Sequence, residues 1–177
     1  MSNFNPYQPP AEPSVAPVIP RQYSGPVGLG GWLVLVGFGL VLSPFMLFAD
    51  VVTTVKTVFL NGTWTALTTP GSSDYHVLWG PLLAIETAFG VASFAVWTYM
   101  AYLFFAKKKL LPKLFAWSHI FTLGFLFVDA FALQLVRPDL PFMDPATSKE
   151  VVRSIFSVCV WVPYMLVSKR VAATFIH

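Results

Sequence analysis

Four ionisable side chains stand inside otherwise apolar stretches of this sequence: Asp50, Glu86, Asp129 and Arg153. Hydrocarbon does not solvate a charge, so each must be buried in protein, partnered or neutralised. Helical rise places Glu86 about 31 Å from Lys107, Asp129 about 24 Å from Lys113, Arg153 about 24 Å from Lys169 and Asp50 about 27 Å from Trp32. Each belongs to a different apolar stretch, and all four fall at one depth, far from the lysines. The expected arrangement is a buried charge cluster in which Arg153 holds Asp129, Glu86 or both, with Asp50 at the rim. Three carboxyl groups against one guanidinium leave an acid in surplus, and Glu86 is the one expected to keep its proton. Such a cluster handles protons or solutes, or it serves as polar glue between helices, worth about 0.6 kcal/mol on average. Glu150, three residues before Arg153, competes for the same guanidinium.

No other constellation suggests chemistry. His119 has no second histidine on its own apolar stretch, and Asp74 and His76 lie in a loop, so no metal site is expected. Nor is a cofactor: Gly28, Gly30 and Gly31 miss the spacing of a dinucleotide loop, because position 33 is leucine and no strand precedes it. Cys159 is the one cysteine, which excludes an internal disulfide. No Ser/His/Asp or Cys/His arrangement appears at an informative spacing, and the chain is not expected to be an enzyme.

The elements that must carry these residues are membrane helices. The chain is 56% hydrophobic and 11% charged, against about 25% charged residues in ordinary soluble domains. The organising stretch is Val77 to Ala106, broken only by Glu86 and followed by Lys107, Lys108 and Lys109. It exceeds the roughly 20 residues that cross a bilayer. The expectation is an all-α integral membrane four-helix bundle with short loops. Its helices cover about 30–52, 77–106, 113–136 and 148–170 within a domain of 27–177. Gly37, Gly39 and Ser43 offer close approach in the first helix, as do Gly80, Ala84, Ala88 and Ala92 in the second. Glu86 falls on roughly the opposite face of that second helix, with Gly90, Ser93 and Trp97. Pro44 and Pro163 predict kinks. Thr147-Ser148-Lys149-Glu150 reads as a capping box opening the fourth helix.

Charge fixes the expected orientation. With the lysine connection in the cytoplasm, that side holds Arg21, Lys107, Lys108, Lys109, Lys113, Lys169 and Arg170, against Lys56, Arg137, Lys149 and Arg153 outside. This agrees with the positive-inside rule and puts both termini in the cytoplasm. The basic residues form no phosphate-tracking stripe beyond the membrane flanks, so no nucleic-acid partner is expected. Residues 1–26 carry Pro6, Pro9, Pro10, Pro13, Pro17, Pro20 and Pro26 and read as a disordered tail. Within it Asn5, Pro6, Tyr7, Gln8, Pro9 and Pro10 form a candidate docking motif for a cytoplasmic protein, because preformed extended backbone binds aromatic grooves cheaply. The bilayer is the expected surrounding, with a membrane or cytoplasmic protein as partner.

Several stretches together resemble one family. They are Gly28-Leu29-Gly30-Gly31-Trp32-Leu33; Leu67-Thr68-Thr69-Pro70-Gly71-Ser72 with Tyr75-His76, Trp79, Pro81-Leu82-Leu83 and Glu86; and Arg153-Ser154, Trp161-Val162-Pro163-Tyr164, Ser168-Lys169-Arg170-Val171 and Thr174-Phe175. The chain from Gly28 onward is similar to the domain of unknown function 2569 family of bacterial inner-membrane proteins. The resemblance implies four membrane helices and no established activity, substrate or catalytic residue. The function expected is therefore that of an accessory or interaction protein, or of a small transporter or ion pathway using Glu86, Asp129 and Arg153.

Overall fold

A computed structural model describes residues 28–176, and every regular element among them is helical. Helix α1 spans Trp32–Val55 and continues as a π-helical turn, Lys56–Leu60. A short α2, Thr63–Thr68, follows. Helices α3, Trp79–Phe105, and α4, Leu111–Val136, are joined by the lysine connection. Helix α5 covers Pro145–Val167, and α6, Lys169–Thr174, ends the described chain. Four of these, α1 with its π turn, α3, α4 and α5, are long and apolar enough to cross a membrane. The proline-rich tail and its motif, Asn5, Pro6, Tyr7, Pro9 and Pro10, lie outside the described residues.

Local sequence sets the boundaries. Gly62, at φ 80°, takes the left-handed conformation that turns the chain from the π segment into α2. Helix α5 opens at Pro145, ahead of the expected capping box. The Asp144 side chain accepts the Thr147 amide at 2.7 Å, and Pro145 presets the first helical φ. The cap is therefore Asp-Pro-Ala-Thr, not Thr147 with Glu150. Pro44 and Pro163 both stand inside helices.

Helix α1 packs along α3, and α4 along α5, while α3 and α4 meet less extensively. Most of the buried core gathers at the lysine end. Leu33, Val36 and Leu40 from α1 meet Met100, Leu103 and Phe104 from α3, Leu111 and Phe115 from α4, Met165 from α5, and Val171 and Phe175. The outer surfaces stay apolar: Phe45, Trp117, Phe121, Val128 and Val167 are all exposed. A water-soluble protein does not leave so much apolar surface in contact with solvent. In a bilayer the same surface costs nothing, because lipid tails are as apolar as the side chains.

Two expectations about close packing need correction. Gly37 does seat α1 on α3, since an added Cβ would come within 2.7 Å of the Phe104 ring. Gly39 meets nothing within 4 Å. Its carbonyl accepts the Ser43 hydroxyl at 2.7 Å within the same helix. The Ala84, Ala88 and Ala92 ridge of α3 is exposed. The helix turns its Glu86 face inward instead, and with few neighbours it cannot bury both.

Candidate functional site: an acid contact between helices

Burial along each helix follows the helical repeat and decides which polar groups face inward. On α3 the buried and half-buried positions include Leu82, Leu83, Glu86, Thr87, Phe89, Gly90, Ser93, Phe94, Val96 and Trp97. On α4 they include Thr122, Phe125, Leu126, Asp129 and Ala130. Glu86 and Asp129 are thus in phase with the packed face of their helices. Their carboxyl groups approach each other across the α3–α4 seam. Two carboxyl groups can hydrogen-bond only by sharing a proton, since neither ionised form can donate. One turn nearer the lysine end of α4, Phe125 stacks on Phe89 of α3 with centroids 3.7 Å apart, and it fixes the seam beside the acids.

Glu86 also lines a cavity of about 60 Å³ on its α1 side, with Leu47, Asp50, Val51, Thr54, Thr87 and Gly90. That volume holds a few water molecules. Gly90 allows this approach, because its missing Cβ would stand 3.4 Å from Val51. The Thr87 hydroxyl donates to the Leu83 carbonyl at 2.7 Å and so is engaged with its own helix. The charged groups at the cavity are therefore carboxyls, from Asp50 and Glu86. Asp50, at an exposed rim, thus shares a cavity with Glu86, and Asp129 lies near Glu86 on the α4 side.

The arginine does not join them. Arg153 is exposed and makes no ion pair among the described residues, with Glu86, Asp129 or Glu150. The reason is its phase on α5. The inward positions of that helix are Val151, Ser154, Ser157, Val158, Trp161, Val162 and Met165. Residue 153 falls about 200° from residue 151 on a helix of 3.6 residues per turn. Moreover α5 lies along α4 and not along α3. Among the described residues the one ion pair is Arg137 with Asp139, 2.8 Å apart in the connection after α4. Its hydrogen bond holds the Asp139 carboxyl below the usual range and the Arg137 guanidinium above its own.

His119 is a packing residue. Its Nδ1 donates to the Phe115 carbonyl at 2.9 Å, and its ring lies against Phe115 and Trp97. No group of three metal-ligating side chains occurs among the described residues. A contact that sequence reasoning missed closes the lysine end. The Gly28 amide donates to Thr174 Oγ1 at 3.1 Å, the Arg170 guanidinium covers Gly30 and Gly31, and Trp32 packs against Trp161. Motifs at opposite ends of the sequence are thus one structural corner. The signal was the glycine run beside Trp32, which has no reason to be small unless another segment lies on it.

A family described as protein of unknown function (DUF2569) matches residues 26–176. No curated protein and no solved structure matches the chain.

Proposed function

The chain belongs to the DUF2569 family, whose description carries no activity, and from its acid contact we propose a non-enzymatic, proton-linked protein of the bacterial inner membrane. Both termini lie in the cytoplasm, which puts the acids in the outer part of the bilayer. The observation that carries this reading is the approach of the Glu86 and Asp129 side chains across the α3–α4 seam, with no cation paired to either acid among the described residues. An ion pair would have read as glue. A lone carboxyl pair is instead a place where a proton is held, and removing it leaves two like charges in contact at low dielectric. The contact must then open or take up another cation. The cavity beside Asp50 has room for water, which would give the proton an exit on the α1 side. Ionisable groups at membrane depth commonly mark ion and proton pathways.

The test is proton flux. Full-length protein in liposomes carrying a pH-sensitive dye is driven by an imposed diffusion potential. Flux is expected in the native protein, absent in Glu86→Gln and Asp129→Asn, and unchanged in Asp139→Asn. Native liposomes no leakier than empty ones refute the reading.

A second reading is an accessory or interaction protein of the same membrane. It is supported by the proline-rich sequence before the first helix, with Asn5-Pro6-Tyr7-Gln8-Pro9-Pro10 as its docking motif. Crosslinking in native membranes tests it. A stoichiometric partner that is lost when residues 1–26 are deleted supports it, and an unchanged crosslinking pattern refutes it.

A further inference from the structure

The lysine end carries a charge pattern that the proton reading does not use. Lys107, Lys108 and Lys109 form the α3–α4 connection, Lys113 stands in the first turn of α4, and Lys169 and Arg170 begin α6. The core that joins Phe104, Leu111, Val171 and Phe175 draws these three segments together, with the Phe104 and Phe175 rings 5.8 Å apart. Among the described residues no acid answers them. The described acids, Asp50, Asp74, Glu86, Asp129, Asp139, Asp144 and Glu150, all lie toward the opposite end.

Helix electrostatics explain part of this set and not the rest. The connection closes α3 with paired amide bonds, Lys107 to the Phe104 carbonyl at 3.2 Å and Lys108 to the Leu103 carbonyl at 3.0 Å. Cations beside those last carbonyls are favourable. Yet Lys107 sits at φ 51°, in the left-handed conformation that glycine adopts at lower cost. Lys113 and Arg170 are harder to account for from within the chain. Lys113 lies in the first turn of α4, and Arg170 covers the entry to α1 over Gly30 and Gly31. A first turn favours an acid, and neither has one. Exposed Trp32 against Trp161 and the exposed pair Tyr99 and Tyr102 are the aromatic side chains that settle at headgroup level.

We propose that this end is a docking surface for anionic phospholipid headgroups, with Lys113 and Arg170 as its fixed cations and the three connection lysines around them. Charge complementarity names the partner: six cations without an internal counter-ion among the described residues, on the end that also carries the exposed aromatics Trp32, Tyr99 and Tyr102, fit lipid phosphates. The inference is independent of the acid contact at the other end.

Full-length protein in a neutral detergent is titrated with phosphatidylglycerol or with phosphatidylcholine, and its thermal melting is followed. Phosphatidylglycerol is expected to raise the melting temperature where phosphatidylcholine does not. Lys113→Gln with Arg170→Gln is expected to weaken that effect by roughly 30-fold, equivalent to two cations at about 1 kcal/mol each. Lys149→Gln, at the opposite end, is expected to leave it unchanged. Should the double variant fail to fold, a salt series on the native protein decides. The phosphatidylglycerol effect must fade as added salt shortens the screening length. Equal stabilisation by the two lipids, a salt-insensitive effect, or full retention in a folded double variant overturns the proposal. So does a match to phosphatidylglycerol by inorganic phosphate or soluble polyglutamate at equal charge, which would make the surface a site for soluble anions.

Discussion

Replacing Gly37 with alanine should destabilise the protein, while the same change two residues later should not. The Gly37 Cβ would stand 2.7 Å from both Cε1 and Cζ of Phe104, where carbon atoms prefer about 3.5–4.0 Å. The ring must therefore retreat by about 1 Å. It is 3% exposed and hemmed in by Phe105 and Phe175, so it has nowhere to go without moving α1 off α3. Overpacking of this kind costs about 1–3 kcal/mol. Alanine also gains helix propensity over glycine, up to about 1 kcal/mol, at both positions. Because Gly39 meets nothing within 4 Å, the difference between Gly37→Ala and Gly39→Ala cancels the propensity gain and isolates the clash. Reversible unfolding in mixed detergent micelles should separate the two variants by about 1–3 kcal/mol. Adding Phe104→Leu to Gly37→Ala should recover part of the loss, with a coupling above about 0.5 kcal/mol. If the two alanine variants unfold at the same detergent fraction, the α1–α3 seam is not built on Gly37.

Other measurements test the remaining contacts. Arg153→Ala and Asp129→Ala should be additive in unfolding free energy to within about 0.5 kcal/mol; a larger coupling would mean that the arginine does reach the acid. Ala88→Leu, on the exposed ridge of α3, should change stability by less than about 0.5 kcal/mol. A loss of several times that would mean another helix covers the ridge. The Asp144 carboxyl is held below the usual carboxylate range by the Thr147 side chain and by the Thr147 amide that it caps, so its contribution is present above the ordinary aspartate pKa and is lost as pH falls through the lowered folded-state value. The melting gap between the native protein and Asp144→Ala should accordingly be constant near neutral pH and close in strong acid. A gap that widens on acidification contradicts the cap.

What could be read from sequence was what periodicity and composition carry. The long apolar runs gave the four helices, because nothing else satisfies backbone groups in lipid at that length. Equal depth on neighbouring helices accounts for Glu86 lying near Asp129 and sharing a cavity with Asp50. Depth, however, says nothing about azimuth. Arg153 lies at the right height but on the wrong side of α5, and only the burial phase set by Val151, Ser154 and Val158 reveals it. The small-residue stripes failed likewise. Gly37 and Gly39 look equivalent in sequence, yet they point about 200° apart on a helix, and just one faces Phe104. The corner formed by Gly28, Arg170 and Thr174 joins positions far apart in the chain, beyond the reach of any local pattern.

The two ends of the molecule are therefore built on different principles, and this bears on how the acid contact could work. At the lysine end all four long helices share a core of large apolar side chains, and the chain's first and last described segments are tied across it. Over their whole lengths the helices pack mainly in pairs, α1 with α3 and α4 with α5, and the buried cluster shared by all four lies at the lysine end. At the acid end the link between the pairs includes the packing of Phe89 against Phe125 and Phe121 and the approach of Glu86 to Asp129. With both acids ionised, two like charges would stand against the contacts of Phe89 with Phe121 and Phe125, while the far end stayed fixed. Separation of the pairs would then pivot about the lysine end and widen the seam beside the cavity that Asp50 borders. Paired spin labels on Val91 and Val128, both exposed on α3 and α4, should report a longer distance at high pH than at low pH, and Glu86→Gln should hold the short distance throughout. A separation that ignores pH in the native protein would mean that other contacts close the seam and that the acids do not govern it.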